Sequence, residues 1–251
     1  MLLYTIKLKF SITEFFYRKT MSITMIQINY KNYPECMFAM LSAFLPKAEG
    51  HDLRRVAGDV FFRSTDQNGR TYRNGLLHSY DNEPAVVADN GTYKVWYKNG
   101  EIHREGDLPA ITRDEQYQEW YKNGQLHREG DRPAITGNGN HQEWWVNGVL
   151  HRDGDQPALI DFELRQWYQH GELHRDGDQP ALIEGELTEW YQHGELHRED
   201  DQPAVVHGDY RAWLKNGQRH RDGDLPAVIN GTIMKWYKNG MYIRSEGEED
   251  N

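Results

Sequence analysis

Residues 117–133 read YQEWYKNGQLHREGDRP. The same phrase returns along the chain. WYKNGEIHREGDLPA starts at Trp96, WYKNGQLHREGDRPA at Trp120, WWVNGVLHRDGDQPA at Trp144 and WYQHGELHRDGDQPA at Trp167. WYQHGELHREDDQPA starts at Trp190 and WLKNGQRHRDGDLPA at Trp213. WYKNGMYIRSEGEED, from Trp236, is a degenerate last copy; YRNGLLHSYDNEPA, from Tyr72, is an incomplete first one with Thr71 in the Trp place. Residues 51–70 could hold half of a further degraded unit. A period of 23 to 25 residues signals a repeat architecture. Trp to His is always seven residues and His to Pro always six; only the Pro-to-Trp interval varies. Length changes are confined to one connection, so the Trp-to-Pro block must hold its register.

Asn-Gly or His-Gly fills the same pair in every Trp-led copy, with the glycines at Gly100, Gly124, Gly148, Gly171, Gly194, Gly217 and Gly240. A two-residue hairpin of type I′ needs positive φ at both positions, which Gly adopts freely and Asn or His tolerate. Each copy therefore predicts a hairpin at that point. The turn fixes cross-strand partners: Lys122 faces Gln125, Tyr121 faces Leu126, Trp120 faces His127 and Glu119 faces Arg128. The same register sets Lys98 opposite Glu101, Val146 opposite Val149, Glu143 opposite Arg152 and Glu189 opposite Arg198. The second strand is expected to kink at Gly-Asp, where the following Pro removes a backbone donor. A second turn, at Asn90-Gly91, Gly185, Gly208 or Asn230-Gly231, leads to the next Trp. The expected fold is all-β: an elongated single-layer antiparallel β-meander of about seven 23–25-residue hairpin repeats.

W120-x-x-N-G-x-x-H127-x-x-G130 resembles a MORN repeat, and the resemblance runs over residues 71–247. It implies a single-layer sheet of hairpins serving as a scaffold or spacer, in some members lipid-associated. The chain departs from that pattern at Gln118 and Glu119, where Tyr-x-Gly is expected, at Arg128, where Gly is expected, and in its added Asp-x-Pro-Ala. It reads as a MORN variant. Variant repeats of this look also occur in viral, phage and bacterial antitoxin-like proteins.

Outside the repeats, residues 1–50 predict an α+β cap over the first repeat. Strands are expected at Tyr4–Phe10 and in SITMIQINY (22–30), with a helix in ECMFAMLSAFL after Pro34. A separate binding element is the alternative, and Met21 offers an alternative start. The array spans 51–247 and an acidic tail 248–251. Residues 1–75 carry a formal charge of +5 and the remainder −15. An acidic array disfavours direct binding to nucleic acid or anionic lipid. The single Cys36 excludes an intrachain disulfide framework and points to a reducing compartment. No apolar run reaches the length of a membrane span or a signal-peptide core, so a cytoplasmic location is expected.

Taken alone, His127, Arg128 and Asp131 suggest an active site. Multiplicity argues against it, because His103, His127, His151, His174, His197 and His220 stand in equivalent places. Neighbouring copies are about 10 Å apart along a sheet, too far to share a zinc ion with ~2 Å bonds to His. His170 with His174, and His193 with His197, lack a third ligand. No catalytic residue, metal or cofactor is expected. The Arg128/Asp131 pair and its equivalents are expected to bridge locally within each copy. Trp96, Trp120, Trp144, Trp167, Trp190, Trp213 and Trp236, with the six histidines, form the candidate ladder: packing core, binding surface, or both. The favoured function is a non-enzymatic scaffold that binds a protein partner through an extended acidic and aromatic surface. A carbohydrate- or cell-wall-binding array is one alternative, because WYKNG is similar to Trp-Tyr/Gly wall-binding repeats. A membrane-associated scaffold is a second, and chemistry within residues 1–70 a third.

Overall fold

The computed structural model describes residues 63–114 and 116–247. The cap, its strands and helix, most of the further half-unit and the tail lie outside the described residues. The chain divides into two compact units, residues 1–101 and 102–251.

In the first unit Arg63–Thr65, Thr71–Arg73 and Leu76–Leu77 form an antiparallel sheet. Asn74 (φ 49°) and Gly75 (φ 80°) make the tight turn of the incomplete copy. Val86–Ala88 pairs with Tyr93–Val95 across a 3-10 turn at Asp89–Gly91.

In the second unit the strands run as a continuous antiparallel meander in which chain neighbours are sheet neighbours. Each repeat supplies the strand after Pro-Ala and the strand before the next Trp. Thus Ile135–Thr136 lies between Tyr117–Glu119 and Gln142–Glu143. One face carries Ile111, Ile135, Leu159, Leu182, Val205 and Val228, in register with the residue just before each Trp.

The predicted Asn-Gly hairpins are present. Tyr121 pairs with Leu126, Lys122 with Gln125 and Val146 with Val149. Both turn residues have positive φ, 51° at Asn123 and 78° at Gly124. These hairpins do not extend into the meander. Each has two residues per strand, and each stacks on the hairpin before it: Gly148 N–H donates to Leu126 O at 2.8 Å, Gly171 to Leu150 O at 3.0 Å and Gly194 to Leu173 O at 2.9 Å. A repeat is therefore two separate hairpins, where two strands, the second kinked at Gly-Asp, were expected. The breaks fall at Trp and across His–Arg–x–Gly–Asp–x–Pro. Positive φ at the glycine and the missing proline N–H stop ladder bonding there. The last copy lacks Gly-Asp-x-Pro, and there the strands run unbroken over Ile233–Lys238 and Met241–Glu246 with one register shift.

The expected Glu119–Arg128, Glu143–Arg152 and Glu189–Arg198 pairs do not form. The break turns the glutamates into the meander, where the aromatic after each Trp donates to them: Tyr121 to Glu119 at 2.9 Å, Trp145 to Glu143 at 2.7 Å and Tyr191 to Glu189 at 2.8 Å. Burial, then Glu189 as hydrogen-bond acceptor, pushes the Tyr191 hydroxyl well above its ordinary pKa.

The alanine after each Pro is the most enclosed residue of the repeat. Ala110, Ala134, Ala158, Ala181, Ala204 and Ala227 are each 0% exposed. Ala134 N–H donates to Glu143 O at 2.7 Å and its carbonyl accepts Trp120 N–H at 2.8 Å, so this residue stitches one repeat to the next.

Gly171 tests the tight turn. It sits at φ +87°, and a Cβ there would stand 3.2 Å from Val149 Cγ1 of the preceding hairpin. Gly171→Val is expected to cost about 1–3 kcal/mol, read as a lowered melting temperature. Gly171→Asn, able to adopt positive φ, should cost less.

Candidate functional site

One arrangement recurs through the second unit and brings Trp, Arg, Asp and His together. The indoles of Trp120, Trp144, Trp167 and Trp213 are 6–8% exposed; Trp190 is half-buried. The arginine eight residues on lies over each ring: Arg128 over Trp120 at 3.8 Å, Arg152 over Trp144 at 3.8 Å and Arg198 over Trp190 at 3.7 Å. The same guanidinium donates to the proline carbonyl of its own repeat, as from Arg152 Nη1 to Pro157 O at 3.1 Å. Its remaining nitrogens fork onto a carboxylate. That carboxylate belongs to the preceding copy, which corrects the expected local bridge. Arg128 binds Asp107, Arg152 binds Asp131, Arg175 binds Asp155, Arg198 binds Asp178, Arg221 binds Asp201 and Arg244 binds Asp224. The physical reason is reach. Over its Trp, the guanidinium spends Nη1 on its own proline carbonyl and turns Nε and Nη2 to the carboxylate of the preceding copy. Arginine suits this position because a planar, delocalised cation stacks and forks at once.

The forked hydrogen bond holds Asp107, Asp131, Asp155, Asp178 and Asp201 below the ordinary carboxylate pKa. A depressed folded-state pKa adds stability that is fully present above the unfolded value, about 3.9. It is lost as pH falls through the folded value. The melting temperature should therefore be insensitive to these groups from neutrality to about pH 5 and fall below about pH 4. Asp155→Asn, followed by thermal melts across pH, should flatten part of that fall.

The histidines are equally committed. Nδ1 of each accepts a backbone N–H from the next copy's turn: His103 from Asn123 at 3.0 Å, His127 from Asn147 at 3.1 Å and His151 from His170 at 3.2 Å. The series continues with His174 to His193, His197 to Asn216 and His220 to Asn239. A backbone N–H can only donate, so Nδ1 is bare and the proton sits on Nε2. Nε2 faces the acid two residues on, 3.1 Å away for Asp153 and 2.9 Å for Glu199. In His103 and His127 the carboxylate is at 3.2 and 3.1 Å without a formed hydrogen bond. His170 stacks on His151 at 4.7 Å and His193 on His174 at 4.6 Å, across the repeat boundary. Among the described residues no group of three potential ligands could hold a metal ion.

The first unit uses the same bonds: His78 Nδ1 accepts Asn99 N–H at 3.1 Å, and Trp96 Nε1 donates to Asn82 O at 2.9 Å. Trp236 lies under Arg244 at 4.1 Å.

Among the outward side chains an acid recurs in each His-bearing copy. The acid two residues after each of the six histidines is exposed, with side-chain exposures of 75% at Glu105, 100% at Asp153, 85% at Asp176 and 88% at Asp222. Open grooves lie between successive loops; the one holding Asp131, Arg152 and Trp144 encloses about 480 Å³. The sequence brings Trp and His to notice through their fixed spacing. Sequence reasoning missed the arginine clamp and the enclosed alanine, although both recur at fixed spacing. No family model, curated protein or solved structure matches the chain.

Proposed function

We propose that the chain is a non-enzymatic repeat scaffold that binds a protein partner through an extended acidic surface, in keeping with its MORN-like repeats. The observation that carries this reading is the division of labour within each copy. Arg stacks on its own Trp and forks onto the preceding copy's Asp, His holds the next copy's turn, and the acid after the arginine, although it meets His Nε2, remains open to solvent. Six equivalent environments offer no unique one for catalysis. The regular row of carboxylates suits a basic protein surface and disfavours nucleic acid and anionic lipid. A sugar-stacking role finds less support, because a guanidinium covers one face of each clamped indole. Among the described residues no helix is long and apolar enough to cross a membrane. Cys36 alone in the chain favours a reducing, cytoplasmic setting.

The test compares immobilised wild-type chain with a variant carrying Glu105, Glu129, Asp153, Asp176, Glu199 and Asp222 as Gln or Asn. Proteins captured from lysate are identified by mass spectrometry. Partners held by the wild type and released by the variant, with circular dichroism unchanged, support the reading. Identical capture by both refutes the acidic surface as the binding element.

A further inference from the structure

Four copies join their meander strands through two-residue loops: Phe162-Glu163, Gly185-Glu186, Gly208-Asp209 and Gly231-Thr232. The first loop residue has φ of 47°, 56°, 52° and 55°, and the second is not positive. That is the pattern of a type II′ turn, whose first position belongs to glycine. Phenylalanine holds it once, and a bulky side chain at positive φ is strained. Burial does not offset the strain, because Phe162 is 69% exposed. The chain instead fixes this residue in place. Asn140 of the preceding repeat brackets it, Oδ1 accepting Phe162 N–H at 2.6 Å and Nδ2 donating to Phe162 O at 3.3 Å. The ring tip lies over Gly139, where a Cβ would stand 3.1 Å from Cζ. An exposed ring is thus held in a disfavoured backbone conformation by a second repeat.

Its surroundings are acidic. Glu163 reaches over Gly185, and Glu186 over Gly208, whose neighbour is the exposed Asp209. Two arginines interrupt these acids, Arg165 with Nη1 on Glu163 O at 3.3 Å and Arg211 with Nη1 on Gly208 O.

We propose that Phe162 anchors a docking surface for a basic protein partner. Its ring enters an apolar pocket, and Glu163, Glu186 and Asp209 pair with lysines or arginines around that pocket. A rigid aromatic amid energetically quieter contacts is the usual make-up of a binding hot spot. A second copy of this chain is the poorer occupant, since each carries a formal charge of −10. This assignment rests on the scaffold reading and names its partner's chemistry.

The experiment pans a phage library of random peptides on the immobilised full-length protein. Enriched peptides are then titrated against wild type, Phe162→Gly and Glu163→Gln/Glu186→Gln. Enriched sequences should combine Lys or Arg with an apolar cluster. They should bind Phe162→Gly at least about tenfold more weakly, lose affinity with salt, and weaken on the double glutamine variant. Phe162→Gly should also melt above wild type, because glycine relieves the positive φ. Peptides that bind Phe162→Gly as tightly as wild type overturn the anchor and leave the scaffold standing. A melting temperature below wild type assigns Phe162 a structural role and overturns the proposal. Failure to enrich any peptide counts against both.

Discussion

Trp144→Ala is expected to destabilise the array by about 3–5 kcal/mol, the usual range for deleting a large buried aromatic. Trp144 is 6% exposed and lies under Arg152. Its backbone carries two bonds that the substitution spares, N–H to Ala158 O and carbonyl from His151 N–H. The loss therefore comes from the indole: burial, the cavity left behind and the surface on which Arg152 rests. In a repeat array such a defect weakens the interface locally. Chemical denaturation should show a lower midpoint and a shallower or split transition. Phenylalanine separates the contributions. Trp213 Nε1 donates to Asp201 O at 2.9 Å, whereas Trp144 Nε1 has no partner. Trp213→Phe should cost more than Trp144→Phe, by roughly the 0.5–1.5 kcal/mol of one hydrogen bond.

Arg198→Ala should cost about 2–4 kcal/mol through three simultaneous losses. The guanidinium leaves Trp190, its bond to Pro203 O at 3.2 Å disappears, and the fork on Asp178 opens. Asp178 is 64% exposed, so solvent screening keeps the ion-pair share modest. Stacking and the proline bond carry more. Arg198→Lys should recover little, because an ammonium offers neither a plane to stack nor a fork. Urea melts of the two variants give the comparison.

Much of this was legible in the sequence, and what escaped it shares one cause. Asn123-Gly124 announced its turn because few residues tolerate positive φ, and Tyr121 opposite Leu126 followed by counting. Counting assumed an unbroken strand. At Trp120 the chain leaves the ladder, so Glu119 and Arg128 part company. The last copy, without Gly-Asp-x-Pro, keeps its strands unbroken, yet its register slips at Trp236, which pairs with Arg244 and not with Ile243. Local periodicity cannot reveal that Arg128 answers to Asp107 of the previous copy. Nor does a glycine position announce itself when Phe162 occupies it.

The clamp ties each repeat to the one before it. A double-mutant cycle on Arg175 with Asp155, beside a second cycle on Arg175 with Asp178, tests this directly. Arg175 forks onto Asp155 at 2.5 and 2.9 Å, and Asp178 of its own loop is held by Arg198. A coupling of about 0.5–3 kcal/mol is expected for Arg175–Asp155 and near-additivity for Arg175–Asp178. Coupling confined to Arg175–Asp178, with Arg175–Asp155 additive, would contradict it.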